Sequence, residues 1–370
     1  MNDIVPWLTL KSVPGVGNLL INRLLKSFES PEKVLRAPTG ALTRVPGITP
    51  RIAEAIRRQR PPDTVMRDID QVYKKGYTFV TCQDEDYPPL LRHIPDPPPL
   101  LYVYGRLSRL RYPLSVVGSR RATPYGRKTA RSLCRQLAES GANIVSGMAL
   151  GIDTAAHEGA LEAGGVTVAV LGSGLNHIYP AQNRELFHRI AEHGAVVTEF
   201  SMDAIPDAHH FPMRNRIISG MSLGTVVVEA ARRSGSLITA RLAAEQGREV
   251  FAVPGNIHSA TARGTHDLIK QGAKLVETAN DIIEEIAPQL AVGHEPQQTR
   301  QPVGLSEREQ RVFEAIGVDP VHIDDLARDL GQAIAPLTSI LSQLELKGLV
   351  CQEPGKHFVR HADYCDSCGP

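Results

Sequence analysis

The sequence predicts an α/β protein with a largely parallel sheet at its core, a small helical domain before it, and three helices with a β-hairpin after it. Between residues 114 and 286, short apolar runs rich in β-branched residues alternate with helical patterns, and glycine- or serine-rich turns follow several of these runs. Such alternation specifies parallel strands joined by crossover helices. A repeated Pro-Gly motif near the N-terminus predicts the helical domain.

Composition sets limits on the class of protein. The chain has 370 residues, of which 42% are hydrophobic and 22% charged, enough for two or three domains. The net charge is only +1, so a polyanionic ligand has to be held by a local patch. Five scattered cysteines do not suggest a disulfide framework, and neither a membrane-spanning stretch nor a secretory signal is visible. We therefore expect a cytoplasmic protein without membrane contact.

Residues 1–62 are predicted to form the helical domain. The motifs Val13–Gly17 and Val45–Thr49 start 32 residues apart, and each precedes a helical pattern. This arrangement is similar to a tandem helix-hairpin-helix, in which glycine N–H groups approach a DNA phosphate. The second copy has Thr49 where the second glycine would fall. Two interpretations remain: the hairpins contact DNA, or they only pack against each other.

Residues 63–287 are predicted to form the sheet domain. The segment 61–113 is rich in proline and is expected to be extended, with strands at 78–81 and 100–104 that lead into the core sheet. The core strands are expected at 114–117, 143–146, 166–171, 195–198, 225–228 and 249–253, and the core helices at 125–140, 152–163, 183–192 and 234–246. In such a sheet, ligands bind outside the carboxyl ends of the strands.

Four turns at these carboxyl ends have the composition of anion sites. They are Gly118-Ser119-Arg120-Arg121, Gly147–Gly151, Gly172-Ser173-Gly174 and Ser234-Gly235-Ser236. Exposed N–H groups, hydroxyls and helix dipoles at such turns suit phosphate. Nearby positive charge comes from Arg120, Arg121, Arg214, Arg216, Arg232 and Arg233. Neither a dinucleotide-binding G-x-G-x-x-G after the first core strand nor a Walker A loop is present, so we expect no cofactor.

Several motifs carry a family resemblance. They are Gly118–Gly126, Ser146–His157, Phe211–Gly220 and Ser234–Ala240, in this order, and together with the helical N-terminal part the similarity spans nearly the whole chain. The sequence resembles the DNA-processing protein A family (DprA, also called Smf). The resemblance implies an extended Rossmann-like core flanked by a helix-hairpin-helix (SAM-like) domain and a winged-helix domain. In one departure from the family, Ala181 stands where many members carry a lysine.

The resemblance also implies a function. It implies a non-catalytic protein that binds single-stranded DNA in the Rossmann-like domain and dimerises through that domain. It further implies protection of incoming DNA and loading of the RecA recombinase during natural transformation. The turns support this interpretation physically, because a row of amides, hydroxyls and arginines can track a sugar-phosphate chain without reading bases.

The expected DNA contacts follow from the turns and from the resemblance. The residues are Gly118, Ser119, Arg120, Arg121, Thr123, Gly147, Gly151, Tyr179, Asn183, Phe211, Arg214, Asn215, Arg216, Ser234, Gly235, Ser236 and Thr239. Bases could stack on Phe211 or Tyr179. Arg214 and Arg216 are two residues apart and cannot share a helix face, so one is expected to bind phosphate while the other pairs with an acid such as Glu199 or Glu229. For any single arginine a structural ion pair is the alternative.

The sequence gives little support for metal binding or catalysis. His157, His209 and His210 lack the spacing of a metal site, so no metal is expected. Asp153 is interpreted as a helix N-cap rather than a catalytic acid or base. The alternative function is a nucleotide hydrolase of the LOG type, because Gly224–Glu229 is similar to the strand and glutamate of such enzymes. This chain lacks the Pro-Gly-Gly that precedes that strand, and no enzymatic activity is expected.

The composition of the chain becomes polar after residue 287, and new helical patterns follow. Residues 288–303 are interpreted as a polar linker and 363–370 as a tail, in which Cys365 and Cys368 are not expected to hold zinc because they lack a second pair. Residues 304–362 contain three helical patterns, at 306–316, 323–330 and 337–347, followed by a hairpin, which is typical of a winged helix. The third pattern has a single basic residue, Lys347, so we expect protein contact or weak DNA contact here.

Overall fold

The computed structural model describes residues 3–107, 110–291, 305–316, 321–347, 349–353 and 355–360. The chain divides into two compact units, residues 1–292 and 293–370. No helix in the described ranges is both long enough and apolar enough to cross a bilayer.

The first unit contains thirteen α-helices, two short 3-10 helices (Pro89–His93 and Ala181–Asn183) and nine strands among its described residues. The helices are α1 (Val5–Lys11), α2 (Asn18–Phe28), α3 (Pro31–Arg36), α4 (Thr39–Leu42), α5 (Pro50–Arg58), α6 (Asp63–Lys74), α7 (Pro124–Glu139), α8 (Ile152–Glu162), α9 (Arg184–His193), α10 (His210–Gly220), α11 (Gly235–Glu245), α12 (Arg263–Lys270) and α13 (Ala279–Ala291). The strands are β1 (Thr78–Thr81), β2 (Leu100–Gly105), β3 (Tyr112–Val117), β4 (Ala142–Ser146), β5 (Thr167–Val170), β6 (Ala195–Thr198), β7 (Gly224–Val227), β8 (Glu249–Ala252) and β9 (Lys274–Leu275).

The strands form one sheet in the order β1-β2-β6-β5-β4-β3-β7-β8-β9. The pairs β1–β2 and β2–β6 are antiparallel, and all other pairs are parallel. Apolar residues of α7, α8 and α13 pack on one face, and those of α10 and α11 on the other. The predicted α/β fold class is therefore confirmed, including the two added strands of the segment 61–113.

The order of the strands reverses at β3. After β3 the chain builds β4, β5 and β6 on one side, and it then returns to build β7, β8 and β9 on the other. The loops that leave the carboxyl ends of β3 and β7 therefore run to opposite faces of the sheet. A crevice opens between them, which is the position where open α/β sheets bind ligands.

Some elements differ from the sequence prediction. Residues 63–74 form helix α6 rather than extended chain, because Val65, Ile69 and Val72 lie at helical spacing and pack into the N-terminal apolar cluster. Helices α10 and α12 and the two-residue strand β9 were not predicted either. The sheet therefore continues beyond β8, which the prediction took as its last strand.

The N-terminal helices are joined to the sheet within the same compact unit by buried polar contacts. Lys11 Nζ donates to the backbone oxygen of Glu199, and Asn18 Nδ2 donates to the Glu199 carboxylate at 3.0 Å. Tyr102 Oη donates to Asp68 Oδ2 at 2.8 Å. Burial lowers the pKa of Lys11, and the charge of Glu199 opposes that shift. The predicted domains 1–62 and 63–287 thus pack as one body.

The second unit is a winged helix, as predicted. Its elements are α14 (Glu307–Ala315), β10 (Val321–His322), α15 (Ile323–Asp329), α16 (Ile334–Leu346), β11 (Val350–Glu353) and β12 (His357–Arg360). Ser306 and Glu309 form the capping box that starts α14. Helix α13 ends at Ala291 and so occupies the first residues of the predicted linker 288–303. The rest of that linker, the tail and its two cysteines lie outside the described residues.

Helices α7 and α8 pack closely because glycine stands at the crossing. A Cβ on Gly159 would lie 2.2 Å from the backbone oxygen of Arg131. We expect Gly159→Ala to push the helices apart and to lower the free energy of unfolding by about 2 kcal/mol. Gly40→Ala is the control, since a Cβ there meets no atom within 4 Å. Urea unfolding checks this expectation, and equal midpoints for both variants would contradict it.

Candidate nucleic-acid interface

A cavity of about 530 Å³ occupies the crevice between the carboxyl ends of β3 and β7. Three segments contribute most of its wall: the loop after β3, the N-terminal part of α10, and the loop after β7 with the first turn of α11. The lining residues are Val117, Gly118, Ser119, Arg120, Arg121, Ala149, Asp153, Phe211, Pro212, Arg214, Asn215, Ile218, Ala231, Arg233, Ser234, Gly235, Ser236, Ile238 and Thr239.

Most of the predicted contact residues are brought together here. Those that line the cavity are Gly118, Ser119, Arg120, Arg121, Phe211, Arg214, Asn215, Ser234, Gly235, Ser236 and Thr239. Gly147 and Tyr179 line a smaller hollow of about 70 Å³, which shares Arg120, Phe211 and Arg214 with the cavity. Two of the predicted turns, after β3 and after β7, therefore face one another across a single opening.

Positive charge is concentrated at the opening of the cavity. Arg120, Arg121 and Arg233 are exposed, and none of them forms an ion pair with a carboxylate of the described residues. Arg232 differs, since its Nε lies 3.1 Å from Asp267 Oδ2. Arg233 was not among the predicted contacts, although its place directly before the Ser234 turn was the available signal. The three unpaired guanidinium groups attract anions to the cavity.

An aromatic pair lies beside these charges. The guanidinium carbon of Arg120 lies 4.9 Å from the centre of the Phe211 ring, within the range of a cation–π contact. The ring of Tyr179 is 5.8 Å from that of Phe211, and 46% of Tyr179 is exposed. The arrangement places a flat apolar surface next to permanent positive charge.

The start of helix α11 presents backbone donors to the cavity. Ser234 caps the helix, its Oγ accepting from the N–H of Ser236 at 3.4 Å, and the two hydroxyl oxygens are 2.7 Å apart. A Cβ on Gly235 would meet no atom within 4 Å, so the first turn is open to a ligand. The N–H groups of this turn and the helix dipole favour an anion.

The side chain of Arg214 is hydrogen-bonded to the protein backbone. Only 4% of the residue is exposed, and its Nη1 donates to the carbonyl oxygens of Val170 and, at 2.7 Å, Gly147. Burial lowers the pKa of Arg214 to about 10, and the charge of Asp153 opposes that shift. The guanidinium therefore holds the ends of β4 and β5 together at the wall of the cavity.

Arg216, another predicted DNA contact, is not among the lining residues of the cavity and pairs with acids instead. Its Nη2 lies 2.5 Å from Glu199 Oε2 and its Nε lies 3.4 Å from Asp96 Oδ2. A further bond of 2.7 Å joins Nη1 to the backbone oxygen of Asp96. The expectation that one of the two arginines pairs with Glu199 is confirmed, since the helix turns Arg216 towards the N-terminal helices.

Three other predicted contacts, Thr123, Asn183 and Gly151, are also not among the lining residues of the cavity. Thr123 Oγ1 donates to Glu229 Oε1 at 2.5 Å and accepts from the first turn of α7. Asn183 Nδ2 donates to Met148 O and to Thr154 Oγ1, both at 2.9 Å. The third is Gly151, where a Cβ would lie 2.3 Å from Ser119 O. These residues support the loops and are not lining residues.

Asp153 is the only acid among the described residues that line the cavity. Gly151, not Asp153, is the N-cap of α8. The Asp153 carboxylate instead accepts from the N–H groups of Gly147 at 3.2 Å and Ala149 at 3.3 Å. Burial raises its pKa, which the charge of Arg214 opposes. Asp153 is therefore not the N-cap that was predicted. Its carboxylate stabilises the turn after β4 by accepting from these two N–H groups, and it interacts with the charge of Arg214.

The predicted turn Gly172–Gly174 is closed to ligands. A Cβ on Gly172 would lie 2.8 Å from the Phe211 ring, and one on Gly174 would lie 2.1 Å from the Ser201 carbonyl oxygen. The turn packs against its neighbours and is not among the lining residues of the cavity. One of the four predicted anion sites, the turn Gly172–Gly174, is therefore not open to a ligand.

His157, one of the three histidines considered for a metal site, is a neutral core residue. His157 is fully buried, and its Nδ1 lies 2.7 Å from Thr167 Oγ1. Burial lowers the pKa of His157 to about 3, so the ring is uncharged at neutral pH. In the part of the chain that the structure describes, no group of three or more His, Cys, Asp or Glu side chains could hold a metal ion.

Family models cover most of the chain. The model of DNA recombination-mediator protein A matches residues 78–287, that of the DprA winged helix domain matches 296–356, and that of the SAM-like helix-hairpin-helix tandem matches 8–59. These three matches correspond to the sheet with its helices, the second compact unit and the N-terminal helices.

Individual proteins agree with these matches. Protein Smf of Synechocystis sp. is 36% identical over 96% of this chain and 98% of its own. The structure of DNA processing protein A from Streptococcus pneumoniae is 36% identical, covers 77% of this chain and 99% of that chain, and has a TM-score of 0.68. A Helicobacter pylori structure, described for its single-stranded DNA binding mode, is 30% identical over 58% of this chain and 96% of that chain, with a TM-score of 0.52. The chain therefore belongs to the DNA recombination-mediator protein A (DprA/Smf) family.

Proposed function

We propose that the protein binds single-stranded DNA in the cavity between β3 and β7, protects incoming DNA there, and delivers it to RecA for recombination. The observation that carries this proposal is the charge of the opening. Arg120, Arg121 and Arg233 have no carboxylate partner among the described residues, while the one acid of the wall, Asp153, is held by backbone N–H groups. A phosphate chain is the ligand that such an opening fits.

The neighbouring aromatic rings favour a single strand over a duplex. Phe211 and Tyr179 offer faces on which an unpaired base can stack, with Arg120 beside them. The bases of a duplex are already stacked on one another and cannot use those faces. The Helicobacter pylori relative, whose single-stranded DNA binding mode is described, supports the same ligand for this chain.

We propose that the bound DNA undergoes no reaction on the protein. Glu229, the glutamate that suggested a LOG-type hydrolase, accepts from Thr123 N at 3.0 Å and from its hydroxyl. A Cβ on Gly126 would lie 2.3 Å from the Glu229 carboxyl carbon, so the carboxylate is packed against the start of α7. Since Asp153 is also engaged, neither carboxylate is placed to act on a nucleotide.

The partners are proposed from family membership. We propose a cytoplasmic homodimer formed through the Rossmann-like domain that loads RecA. The winged helix is assigned to protein contact, because the exposed face of α16 carries uncharged side chains such as Thr338 and Ser342 beside Glu345. Ala181 is exposed in a short turn after Tyr179, so the phosphate contact of a lysine at this position is missing here.

Arg120→Ala tests the charge at the opening. We expect binding of single-stranded DNA to weaken by at least ~1 kcal/mol, because a charge-assisted hydrogen bond and a cation–π contact are lost together. Arg135→Ala is the matched control, since it removes an equal charge from the exposed surface of α7, where Arg135 pairs with Glu139. Fluorescence anisotropy on an oligothymidylate gives both affinities. Equal affinities for the two variants would count against the cavity as the binding site.

A double-mutant cycle tests whether Arg120 and Phe211 act as one unit. Because the two side chains are in contact, we expect the effects of Arg120→Ala and Phe211→Ala on binding to be non-additive by about 0.5 kcal/mol or more. The same cycle with Arg121→Ala in place of Arg120→Ala is the control and should be additive. Additive effects in both cycles would show that the ring does not position the arginine.

A further inference from the structure

A second basic groove lies between helix α2 and the segment that joins β1 to β2. Its volume is about 420 Å³. The N-terminal helices supply one wall and the sheet domain supplies the other. The lining residues are Leu19, Asn22, Arg23, Leu25, Lys26, Cys82, Gln83, Arg92, Ile94, Pro95 and Pro97.

The charged lining residues of this groove are all cations. Arg23, Lys26 and Arg92 are exposed, and the lining contains no acid. Arg23 Nη1 donates to the backbone oxygen of Pro46 at 3.0 Å, and Arg92 donates to that of Asp84. A guanidinium has five N–H donors, so one bond to a carbonyl fixes its position and leaves most donors for a ligand. The groove is therefore complementary to a polyanion.

The rest of the lining is apolar. Leu19 is 50% exposed, and Ile94 and Pro97 contribute to the opposite side. Apolar surface next to cations suits unpaired bases attached to a phosphate backbone. A duplex keeps its bases stacked on one another and cannot use this apolar surface. Charge and apolar surface together favour a single strand as the occupant.

The start of α2, which follows the first glycine hairpin, is fixed to the sheet domain. Asn18, the first residue of α2, donates to the Glu199 carboxylate at 3.0 Å, and Lys11 donates to the Glu199 carbonyl. Glu199 therefore fixes the first residue of α2 against the sheet domain. Arg23 and Lys26 lie further along the same helix and are exposed.

The groove and the cavity lie near opposite ends of helix α10. Helix α10 joins the two sites. Phe211 lines the cavity at its first turn, and a Cβ on Gly220 at its end would lie 2.7 Å from Ile94 of the groove. Phe211 and Gly220 are nine residues apart, a rise of about 14 Å along the helix.

We propose that this groove is a second contact for the DNA backbone, which holds the continuation of a single strand bound in the cavity. The inference rests on the proposed function of the cavity and assigns a role to the N-terminal helices. They extend the binding site with Arg23 and Lys26, together with Arg92 of the sheet domain.

The double variant Arg23→Ala/Lys26→Ala tests the groove in the full-length protein. We compare a short oligothymidylate of about 4 nucleotides, which fills the cavity alone, with one of about 30 nucleotides, which can reach both sites. We expect affinity for the long strand to fall roughly tenfold and its salt slope to decrease by about 1.4, since each lost phosphate contact contributes about 0.7. Affinity for the short strand should stay unchanged. Lys33→Ala/Arg58→Ala is the matched control, because both residues already pair with acids on the domain surface.

The outcomes separate the two proposals. A long-strand affinity equal to that of the control overturns the groove while leaving the cavity intact. An equal loss for both strand lengths also overturns it, because the groove would then not be a separate contact. If the unmodified protein binds neither strand, the proposed function itself fails. Thermal unfolding midpoints within a degree or so of the control exclude a folding defect as the cause.

Discussion

A buried arginine determines the geometry of the cavity. Arg214 donates to the carbonyl oxygens of Gly147 and Val170, which follow or end β4 and β5, and it faces the carboxylate of Asp153. A Cβ on Gly147 would lie 2.3 Å from the guanidinium, so glycine is required there. Because removing one partner of a buried charge pair is costly, α10 cannot move without disrupting two strand ends. Phe211, on the same helix, is held in place by this arrangement.

Positive charge is divided between two roles. Arg214 is buried and bonded to carbonyl oxygens, and the half-buried Arg216 pairs with acids, whereas Arg120, Arg121 and Arg233 are exposed around the opening. This division explains how a chain with a net charge of +1 can present a basic site. The carboxylates near the site are bonded within the protein, since Glu229 and Asp153 accept hydrogen bonds from backbone N–H groups. The local field at the opening is therefore positive although the global field is weak.

The sequence predicted the strands and helices of the core well, since their apolar periodicity depends only on local spacing. It also located the turns after β3 and β7. It could not decide which arginine of the pair Arg214 and Arg216 faces the cavity, because that depends on how α10 lies against the sheet. Helix α6 was missed because prolines flank it, although Val65 and Val72 mark one face. Gly172–Gly174 has the composition of an anion site, and only its packing against Phe211 and Ser201 shows that it is closed.

The central claim is that exposed arginines at the switch point of the sheet bind the phosphates of a single strand without reading its bases. The most direct test is the salt dependence of binding for oligothymidylate and oligoadenylate of equal length, with the duplex of the two as a comparison. Three phosphate contacts alone predict a decrease in log K of about 2 per tenfold increase in salt, similar for both single strands. Weaker binding of the duplex is also expected. A slope near zero, or preferential binding of the duplex, would contradict the account.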